Sequence, residues 1–312
     1  MMDRRRRAAT IAGLASLAIA GSACLASCGQ PSRAATAPAP SDPARRQAQA
    51  ALDRWASAVQ AAASPAVVPV GELTGQIGDW ETDRGDNKAA FMVGKVIAAE
   101  PLSQTSRAPP ATGTMTLPDG TTQSLPLVSP VAALQQIADG AEGDCAGCAP
   151  LRATHVRLTQ VSLATSRGTA QVPAWAYTIE GTRVQVTRVA IDPRHRITAT
   201  PPSWNADDPP QGLTIEGATT GGDDSTLTVN FVGTPGPADQ PCGADYTTEA
   251  VESDTAVVII VVVHPHVATA KAGQGCRAVG AMRTATAHLS RPLADRAVLD
   301  GVQGLPVSVG RA

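Results

Sequence analysis

Short runs of apolar and β-branched residues recur along most of this chain, separated by glycine, proline and aspartate. Such runs between turn-forming residues are typical of β-strands. The predicted strands cover residues 89–99, 113–117, 123–128, 154–163, 170–180, 183–191, 213–215, 225–232, 246–252, 256–263 and 278–289. The sequence therefore predicts a mainly β fold, α+β at most, with two antiparallel β-rich domains after one N-terminal helix.

Turn signals favour antiparallel pairing of these strands. Pro118-Asp119-Gly120 lies between the strands at 113–117 and 123–128, which predicts a hairpin. Glu180-Gly181-Thr182 separates two further strands in the same way. Because strands mostly follow strands without helical intervals, parallel βαβ units are disfavoured, and only one short helix, at 130–138, is expected to interrupt the sheet.

Residues 44–63 have the pattern of an amphipathic helix. Leu52, Trp55 and Val59 recur at i, i+3 and i+7 among strong helix formers, and Pro65 lies just beyond the end. The apolar stripe is expected to pack on a following domain. Few basic residues flank it, which disfavours the alternative of a membrane-surface helix.

The run Ala-Val-Val-Ile-Ile-Val-Val-Val at 256–263 predicts a central strand buried on both faces, since it is too short to span a bilayer. The proline-rich stretch at 200–212 marks a domain boundary. We therefore expect a helix plus a β-rich domain at 46–205 and a smaller, disulfide-stapled β-rich domain at 206–312.

The N-terminus carries an export signal. Four arginines at positions 4–7 precede an apolar segment, residues 8–25, that has no charged residue. Leu25-Ala26-Ser27-Cys28 follows and resembles the lipobox of bacterial lipoproteins, whereas Gly21 makes Cys24 the poorer lipidation candidate. The resemblance implies cleavage of residues 1–27, lipid attachment at Cys28, and a position on the extracytoplasmic face of the cell membrane.

An uncleaved membrane anchor and an ordinary secreted protein share the same apolar run and stay open as alternatives. Residues 28–45 are polar and proline-rich, so they predict a disordered tether between the lipid and the folded part.

Removal of the signal peptide takes four arginines and Asp3 from the charge balance, leaving 21 basic and 26 acidic residues. A mildly acidic chain disfavours nucleic acid as a partner, because nucleic-acid binders present basic patches. The expected partners are the membrane, through the lipid, and an envelope protein or cell-wall component.

Four cysteines remain available for pairing once Cys24 is cleaved off and Cys28 is acylated: Cys145, Cys148, Cys242 and Cys276. An even number in an oxidising compartment predicts two disulfides, and of the three possible pairings we favour Cys145–Cys148 with Cys242–Cys276, because each pair then stays within one domain. Cys145-Ala146-Gly147-Cys148 also has the spacing of a thiol oxidoreductase motif. The glycine-rich, acidic flank before it favours a structural loop disulfide instead.

Other catalytic and metal-binding patterns are weak. His264-Pro265-His266 offers two imidazoles, but a zinc site needs three or four ligands, so we expect no metal and no cofactor. The sequence contains no Gly-x-Ser-x-Gly, Ser-x-x-Lys, His-Glu-x-x-His or phosphate-binding glycine loop.

The first candidate binding surface is a loop that concentrates polar and aromatic residues, namely Asp79, Trp80, Glu81, Asn87 and Lys88. The alternative interpretation is that the Trp80 ring simply packs against the helix at 44–63.

Several short stretches resemble uncharacterised lipoproteins and secreted proteins of high-GC Gram-positive bacteria. They are Pro173-Ala174-Trp175, Cys242-Gly243-Ala244-Asp245-Tyr246, Glu249-Ala250-Val251-Glu252-Ser253, Arg283-Thr284-Ala285-Thr286 and Arg291-Pro292-Leu293. This resemblance carries no activity, so only lipid attachment transfers, onto Cys28. We expect a non-enzymatic binding or envelope-structural module. The alternative is an extracytoplasmic enzyme, either a thiol oxidoreductase at Cys145/Cys148 or a hydrolase with an unrecognised site.

Overall fold

The structure is a computed structural model that describes residues 42–80, 85–104, 110–141, 143–207, 209–266 and 276–311. The helices are α1 (Asp42–Ala61), α2 (Asn87–Met92) and α3 (Pro130–Asp139). The strands of the N-terminal half are β1 (Thr74–Ile77), β2 (Val96–Gln104), β3 (Thr112–Thr116), β4 (Thr122–Pro126), β5 (Leu151–Thr165), β6 (Gly168–Ile179) and β7 (Gln185–Val189). Those of the C-terminal half are β8 (Ile215–Thr220), β9 (Thr226–Gly233), β10 (Ala244–Glu252), β11 (Ala256–Pro265), β12 (Ala281–His288), β13 (Ala297–Asp300) and β14 (Val309–Arg311).

The N-terminal half is one seven-stranded sheet around a long β5–β6 hairpin. Strand β6 pairs with β5 along its length. It also pairs with β3 at Gln171 and with β7 over residues 174–178. Strand β4 then pairs with β3, and β1 pairs with β7. Strand β2 pairs parallel with β5. The predicted β3–β4 hairpin is formed, with Gly120 at positive φ in its turn.

Both faces of this sheet are covered. Helix α3 packs Leu134 and Ile137 on one face, against Trp175 and Tyr177 of β6. The helix starts where Ser129 caps it, with Oγ accepting from the Ala132 amide at 3.2 Å. The opposite face buries a second apolar cluster, which includes Met115, Leu117, Leu125, Leu163, Val172 and Ile191.

The C-terminal half contains two sheets that face each other. One has the order β10-β11-β13 and the other β12-β9-β8-β14. Their facing sides share a core that includes Phe231, Leu227 and Val257. The hydroxyl of Thr248 on β10 donates to the Thr286 carbonyl on β12 at 2.7 Å, so the two sheets also meet along one edge.

Helix α1 covers the outer side of the β10-β11-β13 sheet. Alternate residues of β11 face opposite ways: Val257, Ile259 and Val261 enter the core between the sheets, whereas Val258 and Ile260 pack under α1. The burial of residues 256–261 confirms the prediction of a central strand covered on both faces for this part, whereas Val263 is exposed. The sequence analysis placed this helix in one domain with the β-rich residues up to 205, whereas in the structure it packs on β11 of the C-terminal half. Both halves lie in one compact unit.

The mainly β fold with an N-terminal helix is confirmed. The prediction of a strand over 89–99 is wrong for its first part, because Ala89, Ala90, Phe91 and Met92 lie in α2 and β2 starts only at Val96. Among the described strands, three pairs are parallel within mainly antiparallel sheets: β2–β5, β11–β13 and β8–β14.

Within the described ranges, no helix combines the length and apolar character needed to cross a membrane. The predicted signal peptide and residues 28–41 of the predicted tether lie outside these ranges, so both stay predictions. The prediction of a disordered tether is wrong for residues 42–45, because α1 already starts at Asp42.

Candidate functional site

A cavity of about 480 Å³ lies where turns of the N-terminal sheet meet the C-terminal sheets. The N-terminal half supplies the β3–β4 turn at 117–119 and the β5–β6 turn at 166–169. The C-terminal half supplies the end of β8, the loop at 293–296 and residues 308–311. Its volume is in the usual range for small-molecule sites, which often lie between structural units.

Arg167, in the β5–β6 turn, is the cation best placed to meet a ligand. Its guanidinium lies 3.9 Å from an Asp119 oxygen and 3.8 Å from an Asp295 oxygen. Both distances are too long for hydrogen bonds, and among the described residues this guanidinium donates none. The Arg167 side chain is about half exposed, so its N–H groups are accessible.

Asp119 is partly committed to its own turn. The Thr121 amide donates to Asp119 Oδ1 at 2.9 Å. The hydrogen bonds from Thr121 lower the pKa of the Asp119 carboxyl, and the charges of Arg167 and Arg311 act in the same direction. Asp119 is therefore a charged acceptor at neutral pH and does not supply a proton.

A buried ion pair between Arg296 and Glu252 fixes the loop at 290–296. Arg296 donates to Glu252 Oε2 at 2.6 Å and to the carbonyls of Arg291 and Pro292 at 2.7 and 2.9 Å. Glu252 also accepts the Ser290 amide at 2.7 Å. Since its donors are occupied, Arg296 holds the cavity wall in place and is not available to a ligand.

Two residues of the cavity lining have an unusual backbone. Asp224 and Ala294 have φ of 52° and 50°, in the left-handed region that residues with a Cβ rarely occupy. The Leu293 amide donates to the Asp224 carbonyl at 2.7 Å, which joins the two segments. Backbone strain of this kind is frequent at ligand sites.

A second cavity, of about 550 Å³, adjoins the first. Both are lined by Ser166, Ala294 and Arg296. The second extends towards the apolar side chains of Trp55 and Ile197, so a ligand that enters beside Arg167 has apolar surface close by.

The predicted binding loop lies elsewhere. Trp80 Nε1 donates to Gln76 Oε1 at 2.7 Å, and the indole lies 5.8 Å from the Phe91 ring, so it packs on α2 and not on α1. Because α2 also carries Asn87 and Lys88, the fold brings these residues near Trp80. Asp79 is exposed, and Glu81 lies outside the described residues. None of the described members lines either cavity.

Both favoured disulfides are formed, Cys145–Cys148 and Cys242–Cys276. The first lies in a turn, where Lys95 Nζ donates to the Cys145 carbonyl at 2.5 Å, and the chain continues into β5. The helix N-terminus that activates a redox cysteine is therefore missing at this described position. Cys28 lies outside the described residues.

The two neighbouring histidines do not converge. His264 Nε2 is 2.7 Å from the Thr247 hydroxyl, whereas His266 Nδ1 contacts the Ala238 carbonyl. A hydroxyl bonded to an imidazole is one part of a hydrolase site, but neither residue lines either cavity. No group of three metal-ligating side chains occurs in the part of the chain that the structure describes.

The cavity was not predicted from the sequence, because its walls come from turns far apart in the chain. A comparison with protein families, curated proteins and solved structures finds no significant match to this chain.

Proposed function

We propose that this protein is a lipid-anchored module on the extracytoplasmic face of the cell membrane that binds an envelope component without converting it. The observation that carries the binding function is the convergence of turns from both halves around one cavity. The lipobox ending at Cys28 supports the anchor, and the proline-rich residues after it support a tether.

Two disulfides support the proposed location outside the cytoplasm. Disulfides persist in oxidising surroundings outside the cytoplasm and are rare within it. Cys242–Cys276 closes a loop across 34 residues of sequence, and Cys145–Cys148 closes a short turn. Both are consistent with structural staples in an exported protein.

The chemistry of the cavity supports binding over catalysis. The described residues that line it include Arg, Asp, Ser and Thr, and none of them is His, Cys, Lys or Glu. Arginine does not exchange protons at neutral pH, and Asp119 is held in its charged form. These groups suit the recognition of a polar ligand better than general acid–base work.

The proposal is tested by site-specific photo-crosslinking in the native host. A photoreactive residue replaces Asp295, which is strongly exposed beside the cavities, and in a matched strain it replaces Val131, which is exposed on α3 and lines neither cavity. We expect a discrete envelope adduct from position 295 and none from position 131. No adduct at 295, or equal adducts at both positions in correctly lipidated protein, contradicts the proposal.

A further inference from the structure

We infer that the ligand of the 480 Å³ cavity is an organic anion, with a carboxylate or phosphate bound by Arg167 and Arg311 and an apolar body held between the two halves. This inference rests on the proposed binding function and specifies the class of ligand. The sequence-predicted loop around Trp80 plays no part in it.

Arg167 has unused hydrogen-bonding capacity. A guanidinium presents five N–H donors in a planar fork that matches a carboxylate or phosphate. The nearest carboxylates lie 3.8 and 3.9 Å away, so they balance its charge without occupying its donors. An anionic ligand that approaches to hydrogen-bonding distance gains charge-assisted bonds that the unliganded protein does not make.

Arg311 supplies a second cation on the same cavity. It lies at the end of β14, is exposed, and has no ion pair or side-chain hydrogen bond with another described residue. Arg167 and Arg311 both line the cavity, and the charge of each lowers the pKa of the Asp119 carboxyl. Two cations that line one cavity from different halves of the chain are suited to bind a single anionic group.

The remaining lining defines the body of the ligand. Leu117, Leu293 and Val309 provide apolar surface, and Thr220 and Ser308 provide hydroxyl groups. Three arginines and two aspartates line the cavity, and Arg296 is occupied by Glu252. Asp119 already accepts a backbone amide, whereas the side-chain donors of Arg167 and Arg311 have no hydrogen-bond partner among the described residues.

A matched series of six-carbon probes tests the inference on the full, disulfide-bonded mature chain. The probes are hexanoate, hexyl phosphate, hexan-1-ol and hexylamine, and dissociation constants are measured by ligand-observed NMR. We expect one or both anions to bind at least tenfold more tightly than the alcohol and the amine. The comparison between hexanoate and hexyl phosphate identifies which anionic group the site prefers.

Two variants assign the binding to the cavity. Arg167→Gln is expected to weaken anion binding at least tenfold, because it removes the charged fork. Arg152→Gln is the matched control, since Arg152 is also exposed, pairs with Glu180 at 2.9 Å and does not line the cavity. Its anion affinity should be unchanged, and the thermal unfolding midpoints of both variants verify that they fold.

The outcomes separate this inference from the proposed function. If the alcohol binds as tightly as the anions and Arg167→Gln has no effect, the anionic ligand is excluded, and the proposed binding of an envelope component is still decided by the crosslinking at position 295. If no probe binds up to its solubility limit, both the inference and the assignment of the cavity as the binding site are contradicted.

Discussion

Asp300 shows how a single buried carboxylate organises the C-terminal half. It is only 2% exposed, and its two oxygens accept the amides of Ile215 at 3.1 Å and Gln303 at 2.7 Å. Burial raises the pKa of the Asp300 carboxyl, and the backbone amides oppose this only in part. The side chain thereby joins the end of β13 to the start of β8.

Asp300→Asn is expected to lower the free energy of unfolding by about 1–3 kcal/mol, because one oxygen becomes an NH₂ group that faces a backbone amide. Urea unfolding measures the change. Asp295→Asn, at a side chain that is 92% exposed, is the control and should alter stability by less than about 0.5 kcal/mol. Equal effects of the two variants would refute the structural role of Asp300.

The pKa of the Glu252 carboxyl is shifted in the opposite direction to that of Asp300. Burial alone raises the pKa of the Glu252 carboxyl, but hydrogen bonds from the Ser290 amide and the Arg296 guanidinium outweigh it, and the net pKa is lowered from 4.5. A lowered folded-state pKa means that the stabilisation is complete above about pH 4.5 and is lost as the pH falls through the folded value.

Glu252→Gln is therefore expected to destabilise the protein at neutral pH by about 1–3 kcal/mol. The difference from the wild type should shrink as the pH falls below 4.5, because the wild type then loses the same charge. Denaturant unfolding across this pH range checks the prediction. A difference that stays constant with pH would mean that the Glu252 charge does not stabilise the fold.

Helix α1 and strand β11 show what local patterns predict well. Both were predicted because their signals are continuous: a stripe at i, i+3 and i+7 for the helix, and an unbroken β-branched run for the strand. Helix α2 was missed because Lys88, Ala89 and Ala90 favour a helix within a window that also holds apolar strand-like residues. Strand β1 was missed because Gly75 and Gln76 lack an apolar alternation, and only pairing with β7 makes the segment extended.

The close packing of α1 against the loop after β13 depends on Gly304. Gly304 has φ of 70°, and a Cβ built there would lie 2.8 Å from Ala51 Cβ on the helix. Gly304→Ala is therefore expected to destabilise the protein by about 2–4 kcal/mol, through the left-handed backbone and the clash together. The change is measured by thermal or urea unfolding.

Gly120→Ala separates the two causes. Gly120 also has positive φ, 82°, but a Cβ there meets no atom within 4 Å. It should cost only the backbone term, about 1–2 kcal/mol. If the two variants lose the same stability, the close approach of Gly304 to α1 contributes nothing.

At the scale of the whole molecule, a single sequence predicted the fold class, and the favoured cysteine pairs are formed, but the cavity was not predicted. Its walls combine a turn near residue 118, a turn near 167 and the last strand near 310, which no local pattern connects. The positive φ of Ala294 is equally invisible, since alanine has no preference for that conformation. The prediction of lipid attachment is the reverse case, because the pattern that suggests it is local and lies before the described residues.

Lipid anchoring at Cys28 is tested most directly by metabolic labelling of the native host with a palmitate analogue. We expect labelled wild-type protein, labelled Cys24→Ala protein as the matched control, and no label on Cys28→Ala. Label retained on Cys28→Ala would contradict lipid attachment at Cys28.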